Sequence, residues 1–231
     1  MNYCFFFLLL VIVSCTSQAK KSSGENRSGL PEARNKSESA KETATNPKQK
    51  VEDPHLVAER FKPENATIVH SLIQTSLWGK ENCIIVFYKG RFTEDTQYQY
   101  EHQYVDAYLL VPNEQNAYEK VLIYHFEDDN VDTEIQSVFF ANADSDPQKE
   151  LIILSTCYHR LQYLYEGTEY NTSVFDNFDT AKPPKKMTYL SKISAQLDGG
   201  FEGFLESNPN SEALFKTASD IKKELKRLGY N

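Results

Sequence analysis

The sequence predicts a mainly β fold of antiparallel strands that ends in one α-helix. Segments rich in β-branched and aromatic residues recur along the chain, as at 82–88 and 150–158, which is typical of strands. Pro183 and Pro184 exclude residues 179–186 from a strand ladder and indicate a loop there. From residue 211 to residue 228, apolar residues recur at alternating spacings of four and three, which indicates an amphipathic helix.

The other elements follow in chain order. A short helix is expected at 55–61, and strands are expected at 66–73, 82–88, 97–111, 118–126, 134–141 and 150–158. Residues 161–165 and 170–175 are expected to form a hairpin that turns at Glu166, Gly167 and Thr168. The apolar alternation changes face after Tyr104, which predicts a bulge or bend there. Pro209 lies near the start of the C-terminal helix, and Gly229 lies just past its end.

Residues 54–231 are therefore expected to form a single β-rich domain with a C-terminal α-helix. An antiparallel curled sheet or a sandwich would accommodate these strands. A partial propeller-like arrangement is the other expectation, because the segment is too short for most complete propellers.

The composition excludes some classes of function. The chain of 231 residues has a formal net charge of −8 and contains no basic run with interleaved aromatic residues. Nucleic acid is therefore not an expected partner, because binding to it depends on phosphate contacts by basic groups. With 9 glycines in all, the chain has no glycine-rich phosphate loop either.

The N-terminus has the features of an export signal. Residues 5–13 form an unbroken apolar run that is too short to span a bilayer but has the length of a signal-peptide core. The run ends in Ile12-Val13-Ser14-Cys15, which resembles the bacterial lipobox, although the residues before the run carry no Lys or Arg. The resemblance implies a lipoprotein signal peptide at 1–14 and lipid attachment to Cys15. Several acyl chains would hold the protein stably on a membrane.

Residues 15–53 are expected to be a disordered tether between the membrane and the domain. They contain almost no large apolar side chains, so they cannot bury enough surface to offset the entropy of ordering. No acidic cluster follows Cys15. In Bacteroidota-type lipoproteins such a cluster is associated with surface export, so its absence favours lipid anchoring at the outer membrane on the periplasmic side.

An acidic loop between two predicted strands is the main candidate site. Side chains with oxygen atoms fall at alternate positions, Asn142, Asp144 and Asp146, and Glu150 follows four residues later. A curling loop can turn such side chains toward one centre, as a hard cation such as Ca²⁺ requires. A plain acidic turn is the alternative interpretation, because Asp-Ser-Asp-Pro is good turn chemistry.

The loop resembles the short calcium loop of FG-GAP and VCBS-type β-propeller repeats. The resemblance implies that Asn142, Asp144, Asp146 and Glu150 supply side-chain oxygens and that Gln148 supplies its carbonyl oxygen. Two departures from the family are visible: Asn142 replaces an acid, and proline 147 replaces the usual glycine, whose positive φ proline cannot adopt. An EF-hand is excluded, because its twelfth position requires an acid and Ile153 occupies it.

Two cysteines, Cys83 and Cys157, lie in the predicted domain. An oxidising compartment would permit a disulfide between them. The alternative, a pair of buried free thiols on core strands, is favoured. No CxxC pair occurs, which excludes a zinc ribbon or a thioredoxin-like site.

No catalytic constellation is recognisable, so the chain is not expected to be an enzyme. The five histidines are scattered, and neither HExxH nor GxSxG occurs. Acids at 127–134 form a cluster that could act with the metal loop. The expected function is thus a non-catalytic envelope lipoprotein, a binding or structural module stabilised by Ca²⁺. The alternative is a metal-dependent envelope hydrolase that uses the acids near 127–150.

Two further features concern partners and modification. Tyr98, Tyr100 and Tyr104 form a stripe that could stack against a glycan, although cross-strand aromatic pairing is the more usual reason for such a stripe. The expected partner is an unknown envelope protein or a glycan. Asp179-Thr180-Ala181 resembles the acceptor motif of Bacteroidota O-glycosylation, which implies a modification at Thr180.

Overall fold

The computed structural model describes residues 52–93, 101–115, 117–127 and 131–230. The predicted signal peptide, the lipobox with Cys15 and nearly all of the predicted tether lie outside this range. The described helices and strands, in chain order, are α1 (Pro54–Phe61), β1 (Thr67–Ile68), β2 (Ile73–Leu77), β3 (Lys80–Thr93), β4 (Glu101–Pro112), β5 (Tyr118–Glu127), β6 (Thr133–Ala141), β7 (Glu150–Leu161), β8 (Tyr165–Phe175), α2 (Ser191–Gln196), β9 (Gly200–Leu205), β10 (Asn208–Ser211) and α3 (Ala218–Arg227).

The strands of the described chain form two antiparallel sheets. Sheet 1 has the order β1-β3-β4-β5, with β2 also paired to β3, and sheet 2 has the order β10-β9-β8-β7-β6. Sheet 2 is a meander in which consecutive strands are neighbours, whereas in sheet 1 β1 and β2 both pair with β3 and only β3, β4 and β5 follow in order. The predicted mainly β fold with antiparallel sheets and a C-terminal helix is therefore confirmed.

The two sheets face each other across the main core. Ile85, Phe87 and Leu109 of sheet 1 are buried in one cluster with Leu151 and Ile153 of sheet 2. Because successive residues of a strand point to opposite faces, the other faces must be covered separately. Helices supply this cover, so that the order of layers is α1, sheet 1, sheet 2, then α2 with α3.

The irregularity predicted near Tyr104 lies farther along β4, in its pairing with β5. Strands β3 and β4 pair without interruption from Ile84↔Leu110 to Thr93↔Glu101. The irregularity lies on the other side of β4, where the register with β5 shifts between Ala107 and Tyr108. The apolar pattern changes face because both faces of sheet 1 are covered, one by α1 and the other by sheet 2.

The hairpin of β7 and β8 turns earlier than predicted. The strands pair as far as Leu161↔Tyr165, so residues 162–164 make the turn. Gly167 instead lies inside β8, where a Cβ atom would stand 2.2 Å from the carbonyl oxygen of Glu202 in β9. The glycine thus permits close approach of two strands rather than a turn.

The C-terminal helix is shorter than predicted. It begins at Ala218, and the side chain of Thr217 caps it by accepting from the amide of Asp220. Leu214, expected on the apolar stripe, is 73% exposed, and Pro209 lies in β10. Gly229 does follow the helix, with φ 97°. Among the described helices, none is long and apolar enough to cross a membrane.

Both cysteines of the domain are buried thiols that form no disulfide with each other, as favoured from the sequence. Cys83 lies on β3 and Cys157 lies on β7, so the two thiols belong to different sheets. Burial raises the pKa of the Cys83 thiol to about 11. A protonated buried thiol is a poor nucleophile.

We expect thiol labelling to depend on unfolding. In the native protein neither Cys83 nor Cys157 should react with a maleimide, because both side chains are inaccessible. After denaturation without reductant both should react, as measured by peptide mass spectrometry. Absence of labelling at both positions in the denatured, unreduced protein would mean that they form a disulfide.

Candidate metal centre

The acidic loop connects the end of β6 to the start of β7 through a chain of side-chain-to-backbone bonds. Asp144 Oδ1 accepts from the amide of Asp146 at 2.8 Å, and Asp146 Oδ1 accepts from the amide of Gln148 at 2.8 Å. Asn142 Oδ1 accepts from the amide of Asp144 at 3.4 Å. Each such bond spans two residues and forms an Asx-turn, so successive turns curl the loop.

The curl brings three carboxylates together. Oxygen atoms of Asp144, Asp146 and Glu150 all lie within 4.8 Å of one another. Glu150 is fully buried, and its Oε2 atom accepts from the amide of Ala143. Its Oε1 atom is buried and has no hydrogen-bond partner. A buried polar atom without a partner destabilises a fold, so a group that satisfies Oε1 would be stabilising.

The electrostatics of Glu150 follow from this position. Burial raises the pKa of its carboxyl group to about 7, and the charges of Asp144 and Asp146 act in the same direction. The hydrogen bond from the amide of Ala143 opposes the shift. A bound cation would remove both causes of the raised pKa, since it replaces lost solvation and compensates the neighbouring charges.

Asp176 and Asn177 join the site from the end of β8, and sequence reasoning missed them. Asn177 Nδ2 donates to Asp146 Oδ2 at 2.8 Å and to Asp176 Oδ1 at 3.4 Å. Burial, followed by the charges of Asp144 and Asp146, raises the pKa of Asp176. Their position follows from the register of the β7–β8 hairpin, because the pair Leu151↔Phe175 places the residues after β8 beside the start of β7.

The predicted ligands divide into two groups. Asp144, Asp146 and Glu150 converge as predicted. The side-chain amide of Asn142 shapes the loop, since its Nδ2 donates to the carbonyl oxygen of Asp146 at 3.3 Å. Gln148 is exposed, and its backbone N–H donates to Asp146 Oδ1 in the turn. None of the described residues with positive φ lies in this loop, so it closes with proline in place of the family's glycine.

Trp78 clamps the loop from sheet 1. It lies in the two-residue turn Trp78-Gly79 between β2 and β3, and both residues have positive φ, 47° and 82°. Its Nε1 donates to the carbonyl oxygen of Lys149 at 2.8 Å, and its ring meets the edge of Phe178. The hydroxyl of Thr180 donates to the carbonyl oxygen of Trp78 at 3.5 Å, so the predicted glycosylation residue is half-buried beside this clamp.

Of the acids at 127–134, the described ones do not join the loop. Glu127 ends β5, and Asp132 and Glu134 lie at the start of β6, whereas the metal loop follows the end of β6. Seven residues of β6, 135–141, lie between Glu134 and Asn142, which corresponds to roughly 26 Å of extended chain from one residue to the other. Lys89 pairs with Asp132 at 2.7 Å. Residues 128–130 lie outside the described chain.

His125 is held by this second acidic group. Its Nδ1 lies 2.6 Å from Asp106 Oδ1, and its Nε2 lies 3.0 Å from Glu127 Oε2. Burial lowers the pKa of His125, but the hydrogen bonds and charges of the two carboxylates outweigh it and raise the pKa. With both ring nitrogens bonded to carboxylates, this histidine stabilises an ion pair and has no nitrogen left to activate a nucleophile.

The tyrosine stripe does not form a platform in the described residues. Tyr98 and Tyr100 lie outside them. Tyr104 is half-buried, and its ring fills the space over Gly90, where a Cβ atom would stand 2.2 Å from the ring. The side chain thus packs within sheet 1.

The donors of the metal loop are all oxygen atoms, which suits a hard cation. Carboxylates favour Ca²⁺ or Mg²⁺, whereas the soft and nitrogen ligands preferred by zinc or copper are absent from this described cluster. The residues therefore fit a divalent cation of this class.

Comparisons with models of known protein families, with curated proteins and with solved structures found no match.

Metal-free protein should lose stability as the pH rises from about 4.5 to about 7. The folded state keeps the Glu150 proton up to about pH 7, whereas the unfolded chain releases it near 4.5. The folded state thus binds more protons in this window, so the contribution of Glu150 is present below it and is lost above it. Urea unfolding in EDTA should show this loss in the wild type and a weaker loss in Glu150→Gln. Identical pH profiles of the two proteins would contradict the prediction.

Proposed function

We propose that this chain is a non-catalytic lipoprotein of a bacterial cell envelope, a binding or structural module whose domain is stabilised by Ca²⁺. Lipid on Cys15 anchors it at the outer membrane, and residues 15–53 tether the domain on the periplasmic side. The observation that carries the calcium site is Glu150, because its buried Oε1 atom has no partner beside two further carboxylates.

Calcium is the cation that best suits this loop. Ca²⁺ accepts irregular oxygen ligation of six to eight atoms, whereas Mg²⁺ demands near-octahedral geometry and keeps several waters. The carboxylates of Asp144, Asp146 and Glu150 supply charge, and Asp176 lies close enough for its pKa to respond to two of them. Because the loop joins β6 to β7 and is held by Trp78, the ion would tie both sheets to one centre.

Several observations support a non-catalytic role. The metal loop follows the end of β6, whereas Asp132 and Glu134 lie at its start, so these described acids do not share one cleft with the loop. The described histidine nearest to those acids, His125, has both nitrogens engaged by carboxylates. The described side chains that hydrogen-bond to the loop from outside it are those of Trp78 and Asn177, and neither is a nucleophile or a general base.

Calcium should raise the melting temperature of the wild-type protein at about pH 8, where Glu150 is ionised. A tenfold excess over Kd stabilises the native state by about 1.4 kcal/mol, which corresponds to roughly 3–6 °C for a domain of this size. NaCl of equal ionic strength should not reproduce the shift, and MgCl₂ should give a smaller one. Differential scanning calorimetry measures all three, and an unchanged melting temperature in calcium would show that the loop is only a hydrogen-bonded turn.

Glu150→Gln is the variant that isolates the charge. It keeps the size of the side chain, and the folded protein already favours a neutral group there. The calcium shift should be lost while the protein stays folded. Asp144→Ala does not separate loss of charge from loss of structure, because Asp144 also accepts the hydrogen bond from the amide of Asp146 in the turn. Glu134→Gln, at the other end of β6, is the matched control and should keep the full calcium response.

The anchor requires a separate test. Cys15→Ser should move the protein from the detergent phase to the aqueous phase, or leave the leader uncleaved, because the acceptor of the lipid is missing. Cys4→Ser, which changes the other cysteine of the leader, is the control and should partition as the wild type does. Unchanged membrane partition of Cys15→Ser together with normal leader cleavage would contradict the proposed anchor.

A further inference from the structure

The outer face of sheet 2 is covered at one end and open at the other. Near the metal loop, Ile152 and Leu154 of β7 lie under α2 and α3. Farther along the same face, Thr156 and Tyr158 of β7 and Thr168 and Tyr170 of β8 line a cleft of about 460 Å³. A volume of this size is typical of small-molecule sites.

A β-bulge builds one wall of this cleft. The register of β6 and β7 shifts between Ile135 and Ser137, so one extra residue, Gln136, enters β6. The shift exchanges the faces, because the inner core receives Ile135 before the bulge and Val138 and Phe140 after it. Glu134 and Gln136 line the outer cleft. Bulges often re-aim side chains beside functional sites.

The side chains of the cleft are held in place before any ligand arrives. Tyr158 Oη donates to Glu166 Oε1 at 2.9 Å, which fixes a ring that is 54% exposed. Gln136 Nε2 donates to Thr156 Oγ1 at 3.0 Å and to Glu134 Oε2 at 3.2 Å. With its amide hydrogens used in this way, Gln136 presents its carbonyl oxygen as an acceptor. Such preorganisation lowers the entropic cost of binding.

The charges at the rim are already compensated. Lys216 pairs with Glu202 at 3.0 Å, and Asp132 pairs with Lys89 at 2.7 Å. A charged ligand would have to compete with these ion pairs. The open groups are instead aromatic rings, hydroxyls, an amide oxygen and a carboxylate, which favours an uncharged ligand with many hydroxyl groups.

We propose that this cleft binds a neutral oligosaccharide, with one sugar ring on Tyr158 and its hydroxyl groups bonded to Glu134, Gln136 and Thr156. The C–H bonds of a sugar face carry a small positive charge, which the negative face of an aromatic ring attracts. The hydroxyl groups donate to the carboxylate and amide oxygens. The inference is independent of the calcium site, because the cleft contains no residue of the metal loop.

Isothermal titration calorimetry of the purified chain tests the proposal. The probes are hexasaccharides of glucose in α and β linkage, of N-acetylglucosamine, of mannose and of xylose, with tetra-alanine as a peptide control. At least one sugar should bind. Tyr158→Ala should weaken that binding by roughly tenfold or more, which corresponds to about 1.4 kcal/mol, and Tyr158→Phe should weaken it less because the ring remains.

Two controls separate this role from a structural one. Tyr163→Ala removes a tyrosine that is 81% exposed at the turn of β7 and β8, outside the cleft, and should bind sugar as the wild type does. Melting temperatures of all variants should be close to that of the wild type, because both side chains are largely exposed. Failure of every sugar to bind, equal affinity of Tyr158→Ala and wild type, or binding of tetra-alanine alone would overturn the proposal.

Discussion

The burial of strand β7 is the constraint on which the rest of this domain depends. Its first eight residues, 150–157, are all buried, because sheet 1 covers one face and α2 with α3 cover much of the other. An apolar side chain suits every position of such a strand. A carboxylic acid stands at its first position, Glu150, and the loop before it therefore has to satisfy that group.

The loop meets this requirement only in part, which explains its composition. The amide of Ala143 donates a hydrogen bond to one carboxyl oxygen of Glu150, while the other oxygen has no hydrogen-bond partner. Asp144 and Asp146 lie close by, and their charges act against ionisation of Glu150. Without an ion, the three carboxyl groups destabilise the fold, and the carboxyl group of Glu150 at the start of β7 holds its proton to higher pH. With a divalent cation, the same acids become ligands, so the arrangement is costly unless something positive binds.

Sequence patterns predicted much of this fold and less of its tertiary detail. Strands rich in Ile, Val and Phe were located because local composition determines them, and the triad Asp144, Asp146 and Glu150 followed from spacing in one short loop. The hairpin turn was misplaced, because Gly167 serves contact with β9, a partner distant in sequence. Strands β9 and β10 and helix α2 were missed, since their residues carry weak local preferences. Asp176 and Asn177 reach the site through strand register, which spacing alone does not encode.

The contact between Trp78 and Lys149 has a spectroscopic consequence. Trp78 is the single tryptophan of the chain, and its indole N–H donates to the backbone of the acidic loop. Its ring also meets Phe178 edge-on at a centroid distance of 4.9 Å. Indole emission depends on the polarity around the ring and on its hydrogen bond. The tryptophan fluorescence of this protein therefore arises from one ring beside the loop, and a shift of its emission wavelength would report on the loop without any added label.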